Sequence, residues 1–284
     1  MAAVGLALCS AVLFGALSVA LGFAMRRNPD AELGALVTGI VALAVCGAIA
    51  LIGAEWHGRI WPFLLAGLIA PGGSQIFYVR AVKAAGPSRT AVLIGVSPLV
   101  SVSIALVALG EPVRAPLVTG AVLIVLGGLA LAGERVRPET FRSVGMAFAL
   151  VATTFFATRD NVVRHLAAGT DVPPQLAATA TLLSGTAVIV AYLLVQRRGS
   201  LMGLARAFRP FAFSGLLWGL SYVSLFEAFY RGRVSVISPL VATESLFAVV
   251  LAAVLLRRSE LVSRHVWLGA VLIVAGGALI GAFR

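Results

Sequence analysis

The sequence predicts an all-α integral membrane protein with ten transmembrane helices, arranged as two inverted five-helix repeats. Three observations support this fold class. The 284 residues are 60% hydrophobic and only 12% charged, about half the charged fraction of an average water-soluble domain. The apolar residues form ten runs of about 20, which is the length of a helix that crosses a bilayer. The two halves of the chain also match each other in sequence.

Short polar segments separate the spans of the first half and supply their ends. Arg26, Arg27 and Pro29 follow the first span, and Pro87 begins the fourth, where the missing N–H of a proline interrupts no helical hydrogen bond. The predicted spans of this half are 2–24, 33–53, 61–82, 87–109 and 116–132.

The polar segment GERVRPETFR at 133–142 divides the chain, so we expect one repeat at 1–133, a central loop at 134–142 and a second repeat at 143–284. The loops between spans are too short to hold a soluble domain. The predicted spans of the second half are 143–166, 174–195, 210–230, 234–256 and 265–283.

Four short matches, in the same order along both halves, indicate an internal duplication. The clearest joins GAVLIVLGG at 120–128 to GAVLIVAGG at 269–277, at an offset of 149 residues. An odd number of spans in each repeat makes the two copies face opposite ways, and such proteins place their binding site near the midplane between the repeats. The other matches are VGLA at 4–7 with VGMA at 144–147, GGSQ at 72–75 with GLSY at 219–222, and Glu111 with Glu260.

The net charge of +11 comes from basic clusters in the loops, so we expect contact with lipid headgroups and not with nucleic acid. Cys9 and Cys46 lie in apolar runs without the spacing of a metal or disulfide site, and we expect no metal and no cofactor. The first apolar run is too long for a signal peptide and is expected to stay as a span. A multi-pass protein of the plasma (inner) membrane is predicted, and the distribution of Lys and Arg predicts both termini outside.

Glu244 is the only ionisable residue of the ninth span and lies next to its midpoint. A carboxylate at this depth costs roughly 2.5 to 3.5 kcal/mol on insertion, so it is expected to face the bundle interior or a water-filled cavity. Pro239 lies five residues earlier and leaves the carbonyl of Ser235 without its helical partner. These residues predict a broken, polar helix at the membrane midplane.

At an offset of 147 residues, Ser97 in the fourth span is the counterpart of Glu244. Because equivalent residues of an inverted repeat meet only near the midplane, we expect the two side chains to face each other across one cavity. Glu244 would then accept a proton or a cation, or bind the ammonium group of a substrate. The alternative is a structural acid that is hydrogen-bonded to Thr90, Ser101 or Tyr222.

The sequence resembles the EamA-type members of the drug/metabolite transporter superfamily over essentially its whole length. The resemblance is carried by the five-plus-five spans, the GAVLIV opening of the last span of each half, and the acidic residue before it, Glu111 or Glu260. It implies a central cavity lined by the first, third, fourth, sixth, eighth and ninth spans, and export of amino acids, metabolites or toxic cations. The aromatic amino-acid exporters are the nearest functional analogy.

The sequence departs from the family pattern at the midplane. Many relatives have a proline in both halves, whereas this chain has Ser97-Pro98 in the first half and Glu244-Ser245 in the second. Pro239 is the candidate to replace the missing proline. The residues predicted to act in gating or coupling are Pro98, Asp160, Pro239 and Glu244.

Aromatic and polar residues at similar depths predict a cavity for an amphipathic or aromatic solute, in which an ammonium group can bind by cation–π contact. Helix packing or interfacial anchoring is the alternative for the aromatic residues. Arg159 and Asp160 in the sixth span have two interpretations, a helix end with snorkelling side chains or a role in gating or in binding a substrate carboxylate. The predicted substrate-binding residues are Phe14, Gln75, Tyr78, Ser97, Phe155, Trp218, Tyr222 and Glu244.

The leading functional hypothesis is a secondary transporter of small organic solutes, with a proton as a candidate coupling ion. The alternative classes are a passive channel and a polytopic membrane enzyme. An enzyme would need a nucleophile or a metal set, but His57, His165 and His265 are scattered, and the sequence contains no HExxH or GxSxG motif. It also contains no P-loop, so we expect neither an enzyme nor an ATP-driven pump.

Overall fold

The fold is all-α, as predicted, and the computed structural model contains no strand among the residues that it describes. The helices of each half follow the predicted spans in order. The described residues are 2–53, 58–100, 103, 115–132, 141–167, 169–196, 201–232, 237, 240–256 and 262–283.

The first half contains helices α1 to α6, and its third span is interrupted. Asp30 begins the second helix, because its carboxylate accepts a 3.0 Å hydrogen bond from the backbone N–H of Leu33. Gly86 separates the third and fourth spans with a φ of +87°, a conformation that side chains disfavour. The elements are α1 (Ala2–Arg27), α2 (Ala31–Gly53), α3 (Trp61–Gly67), a π-helical turn (Leu68–Gly72), α4 (Gln75–Ala85), α5 (Pro87–Ile94) and α6 (Ala115–Ala132).

The second half contains helices α7 to α11. Its third span is one continuous helix of 28 residues that begins at Leu204, six residues before the predicted start at Pro210. The elements are α7 (Val144–Ala167), α8 (Pro174–Gln196), α9 (Leu204–Arg231), α10 (Glu244–Leu255) and α11 (Arg264–Phe283).

Five of the described helical stretches are long and apolar enough to cross a membrane on their own, and the remaining spans are shorter or more polar. Helix α7 is long enough, but Arg159, Asp160 and Asn161 lower its hydropathy. Shorter apolar helices are found at Val118–Leu131, Leu240–Leu255 and Arg264–Leu279. The five long stretches are Ala2–Arg27, Ala31–Gly53, Trp61–Ala85, Pro174–Gln196 and Leu204–Arg231.

The helix contacts have the two-fold pattern that an inverted repeat requires. Helix α1 packs on α9 as its counterpart α7 packs on α4, and α2 packs on α9 as α8 packs on α3. Contacts between equivalent helices, α2 with α8, α5 with α10 and α6 with α11, lie on the axis that relates the halves. The predicted arrangement of two inverted five-helix repeats therefore describes the packing.

Helices α6 and α11, the last of each half, pack together through their glycines. A Cβ atom on Gly127 would lie 2.9 Å from the carbonyl oxygen of Gly269, and one on Gly276 would lie 2.5 Å from that of Gly120. Without side chains at these positions, the backbones approach closely enough for dispersion to hold the pair in lipid. The glycines repeated in the two halves are thus packing residues within the chain.

Candidate functional site

The fourth and ninth spans are both interrupted, and the two breaks are at equivalent positions. Helix α5 ends at Ile94, residues 95–96 form a turn, and the chain is helical again at 97–100. In the ninth span residues 240–242 are helical, Thr243 forms a turn, and α10 begins at Glu244. At the offset of 147 these turns coincide. Ser97 and Glu244 therefore each begin a half-helix, where free N–H groups and the helix dipole favour negative charge.

A cavity lies between the two repeats beside these half-helices. Its walls come from the first, third, fourth, sixth, eighth and ninth spans, the same six that the family resemblance implies. The lining residues are Phe14, Leu17, Gln75, Tyr78, Ile94, Ser97, Pro98, Phe156, Arg159, Asp160, Asn161, Trp218, Leu225, Phe229, Val241, Ala242 and Glu244.

Glu244 lies in the wall of this cavity and is 9% exposed. Among the described residues its carboxylate has no hydrogen-bond or ion-pair partner. The neighbours considered from the sequence do not supply one: Thr90 donates to the carbonyl of Gly86 at 2.8 Å, the hydroxyl of Tyr222 has no partner, and Ser101 lies outside the described residues. The contacts favour a carboxylate that is available to a solute over one that ties two helices together.

Arg159 and Asp160 also line the cavity, although the sequence leaves them open to interpretation as an interfacial helix end. Arg159 is only 2% exposed, and its Nε lies 2.8 Å from Oδ1 of Asp160. The guanidinium carbon is 4.8 Å from the centre of the Tyr222 ring, within the range of a cation–π contact. Asp160 in turn lies close enough to Glu244 for the two carboxylates to repel each other.

Tyr222 holds one aromatic wall of the cavity in place without being among its lining residues. Its ring contacts Trp218 at 5.5 Å and Phe14 at 6.2 Å between centroids, both edge to face. On the opposite wall the hydroxyl of Tyr78 is 2.8 Å from the hydroxyl of Ser18, and its ring contacts Phe156.

Gln75 and Ser97 complete the polar part of the wall from the first half. Gln75 is buried and donates a 3.1 Å hydrogen bond from Nε2 to the hydroxyl of Thr38. Ser97 is partly exposed to the cavity, whereas Ser245 is fully buried and donates to the carbonyl of Ala242 at 2.9 Å. The hydroxyl of Ser97 is therefore the one that a solute reaches.

One predicted residue lies elsewhere, and another falls outside the described residues. Phe155 is not in the cavity lining and stacks on Phe77 with ring centroids 6.5 Å apart; its neighbour Phe156 takes the place in the wall. Pro239 lies outside the described residues, whereas Pro98 lines the cavity. The described part of the chain contains no group of three or more His, Cys, Asp or Glu residues that would hold a metal ion.

The comparison with family models covers nearly the whole chain. The model of the EamA-like transporter family matches residues 1–132 and again 143–282. The chain belongs to the EamA-like transporter family. As a member, it is a multi-pass membrane transporter of small solutes.

The fold of this EamA-like transporter is also found among solved structures. One crystal structure of a protein matches 98% of this chain and 94% of its own, with a TM-score of 0.69 and 21% sequence identity. A likeness at this identity concerns the fold. A search of curated protein sequences gives no significant match.

The apolar lining residues of this transporter that sequence reasoning missed include Phe156, Leu225 and Phe229. A signal for them was present. Phe156 is three residues before Arg159 and four before Asp160, so all three share one face of α7. Leu225 and Phe229, four apart on α9, follow Trp218 at helical spacing. A polar residue known to face the cavity therefore identifies its apolar neighbours.

Proposed function

We propose that this protein is a secondary transporter that exports small organic solutes across the plasma (inner) membrane. Amino acids, including aromatic and hydrophobic ones, are the leading substrates. The observation that carries the proposal is Glu244, a buried carboxylate in a cavity between two inverted repeats, with no partner among the described residues. A carboxylate in such a place is expected to bind a proton or the ammonium group of a solute.

The lining of the cavity supports a small amphipathic substrate. Most of the wall is apolar or aromatic, and a few polar groups interrupt it, as is typical of sites for small organic ligands. An aromatic side chain fits against Phe14, Phe156 and Trp218, while an ammonium group is attracted by Glu244 and by the faces of the aromatic rings.

The two broken helices support alternating access around this site. Turns at 95–96 and at Thr243 interrupt the two spans, and the helical residues on either side of each turn can change their angle without breaking a continuous helix. The inverted repeats then move against each other, so that the cavity opens first to one side and then to the other. Pro98, Asp160, Pro239 and Glu244 are the proposed gating or coupling residues.

Efflux from reconstituted proteoliposomes tests the proposal. Vesicles are loaded with a panel of amino acids, amines and quaternary ammonium compounds, and efflux is followed with and without a pH gradient. We expect amino acids to be exported by the wild-type protein. Glu244→Gln should abolish export or remove its pH dependence, while Asp171→Asn, which changes an exposed acid in a loop, should leave it unaltered. Unchanged flux and pH dependence in Glu244→Gln would refute the role of this carboxylate.

Export of other metabolites or of toxic cations is the second candidate. It is favoured by the two carboxylates, Asp160 and Glu244, in a cavity with aromatic walls, because both features attract organic cations. In the same panel, efflux of quaternary ammonium compounds without efflux of amino acids would identify this function.

A further inference from the structure

Arg159 is the buried cation of the cavity, and the described residues use only part of its hydrogen-bonding capacity. Burying a guanidinium is costly unless its donors are paired. It has five N–H donors in a fixed plane, yet Nε and Nη1 have no hydrogen-bond partner among the described residues. Because buried polar groups are nearly always satisfied, these donors indicate a partner that is not part of the described chain.

Asp160 does not fill this role, because it is the next residue of the same helix. Neighbouring side chains on a helix do not face each other, and Oδ1 of Asp160, although only 2.8 Å from Nε of Arg159, also has no hydrogen-bond partner of suitable geometry. The pair lowers the net charge, but the guanidinium edge at Nη1 stays unpaired. That edge suits the two oxygens of a planar anion such as a carboxylate.

Tyr222 supports the guanidinium from behind. Its ring lies 4.8 Å below the guanidinium carbon and is fixed by edge-to-face contacts with Phe14 and Trp218. The Tyr222 hydroxyl is buried and has no hydrogen-bond partner in the described chain. Tyr222 thus lies behind the guanidinium, and Arg159 presents its Nη1 edge, which has no hydrogen-bond partner among the described residues, to the cavity that it lines.

The charges of the lining residues indicate which charged groups a matching ligand carries. Arg159 is offset by Asp160, and Glu244 is left as a separate negative group. A ligand with an ammonium group alone would pair with Glu244 and leave the guanidinium donors unsatisfied. A ligand that carries both an ammonium group and a carboxylate satisfies both.

We propose that Arg159 and Tyr222 form an anion-binding subsite, so that the exported solute is recognised by its carboxylate as well as by its amine. This inference rests on the proposed function and deepens it, because it selects zwitterionic amino acids over organic cations. Arg159 binds the carboxylate directly, and Tyr222 orients the guanidinium from behind.

Matched compounds test the subsite in proteoliposomes. Wild-type protein is assayed for efflux of L-phenylalanine, of its primary amide, and of phenethylamine, which is phenylalanine without its carboxylate. We expect phenylalanine to be exported at least about 10-fold faster than the other two at equal subsaturating concentration, as for the loss of a charged hydrogen bond. Equal efflux of all three from the wild type would overturn the inference, without any variant being needed.

Variants at Arg159 separate binding from structure. Arg159→Gln and Arg159→Lys should reduce efflux of phenylalanine about 10-fold or more, with the smaller loss for Lys, and should reduce efflux of phenethylamine much less. Arg206→Gln, which changes an exposed arginine, is the matched control and should alter neither. A proportional loss of both compounds in the folded Lys variant would mean that Arg159 is only structural and would overturn the inference.

Failure of the proposed function gives a different result. If the wild-type protein exports neither phenylalanine nor its two analogues but exports quaternary ammonium compounds, the amino-acid assignment fails and the subsite fails with it. If it exports all amines regardless of the carboxylate, export stands and only the subsite is refuted.

Discussion

The two repeats share a fold but differ in the chemistry that they bring to the cavity. The lining residues of the first half are uncharged, and the three charged lining residues, Arg159, Asp160 and Glu244, belong to the second half. At the offset of 140, Val19 is the counterpart of Arg159, and it packs with Ala252 and Leu256 in an apolar cluster. Duplication therefore explains the frame of the cavity, whereas its charged residues come from one copy.

The third spans of the two halves also differ, because one is broken and the other is a continuous helix. In the first half the span is broken by the π-helical turn at Leu68–Gly72, which contains Pro71. In the second half the counterpart of Pro71 is Trp218, within a continuous helix. The broken span supplies small side chains and backbone at the packing surface, while the continuous one supplies the aromatic wall.

The largest expected effect comes from moving the carboxylate between the halves. Glu244→Ser should lower export of phenylalanine by about 100-fold, since losing one partner of a buried charge pair costs about 3 kcal/mol. The double variant Ser97→Glu with Glu244→Ser places the acid at the equivalent position of the first half. We expect little recovery, because Arg159 and Asp160 remain in the second half; efflux assays measure both variants. Full recovery would show that export depends only on the depth of the carboxylate in the membrane, and that either half can supply it.

The next effect concerns stability and compares Gly67 with its counterpart, Ser214. A Cβ atom on Gly67 would overlap Oγ of Ser184 and the carbonyl oxygen of Thr181, so Gly67→Ala should destabilise the fold by about 1–3 kcal/mol through overpacking. Ser214 already carries a side chain at the equivalent position. Thermal unfolding in detergent should show a lower midpoint for Gly67→Ala and almost none of this loss for Ser214→Ala. Gly5→Ala is the control, because nothing lies within 4 Å of its added Cβ.

A smaller effect is expected for access to the two breaks. In a background without Cys9 and Cys46, a cysteine replacing Ser97 should react with a small polar thiol reagent at least about 10-fold faster than one replacing Ser245. The reason is that Ser97 lines the cavity and Ser245 is buried against its own helix. Labelling followed by mass spectrometry measures the rates. Equal rates would place the two breaks in the same environment.

The smallest effect concerns the ends of the third spans, where Arg80 and Glu227 are equivalent. Arg80 binds Glu32 and donates a 3.1 Å hydrogen bond to the hydroxyl of Tyr192, so Arg80→Gln should cost about 1 kcal/mol. Arg231 pairs with Glu227 but is 56% exposed, and Arg231→Gln should cost about half as much or less, as for an exposed ion pair. Thermal unfolding compares the two, and a larger loss for Arg231→Gln would contradict the ranking.

The sequence predicts the spans well because the length of a membrane helix is set by the bilayer. It does not predict the start of α9 at Leu204, since ARAFR at 205–209 is polar and Pro210 looks like a first helical residue. Six of the eight predicted binding residues line the cavity. The two others are Phe155 and Tyr222. Phe155 and Phe156 point in directions about 100° apart around the helix axis. A helix that is apolar on most sides gives no sequence signal for which of the two faces the cavity.

The break at Thr243 has a consequence for how the chain enters the membrane. Helix α10 begins with a carboxylate, which opposes insertion near the middle of the bilayer. This segment should therefore insert poorly when made alone and should need the helices synthesised before it, α1 and α5, as its docking partners. The binding site would then be completed late in biosynthesis, when the ninth span joins a bundle that already surrounds the place for Glu244.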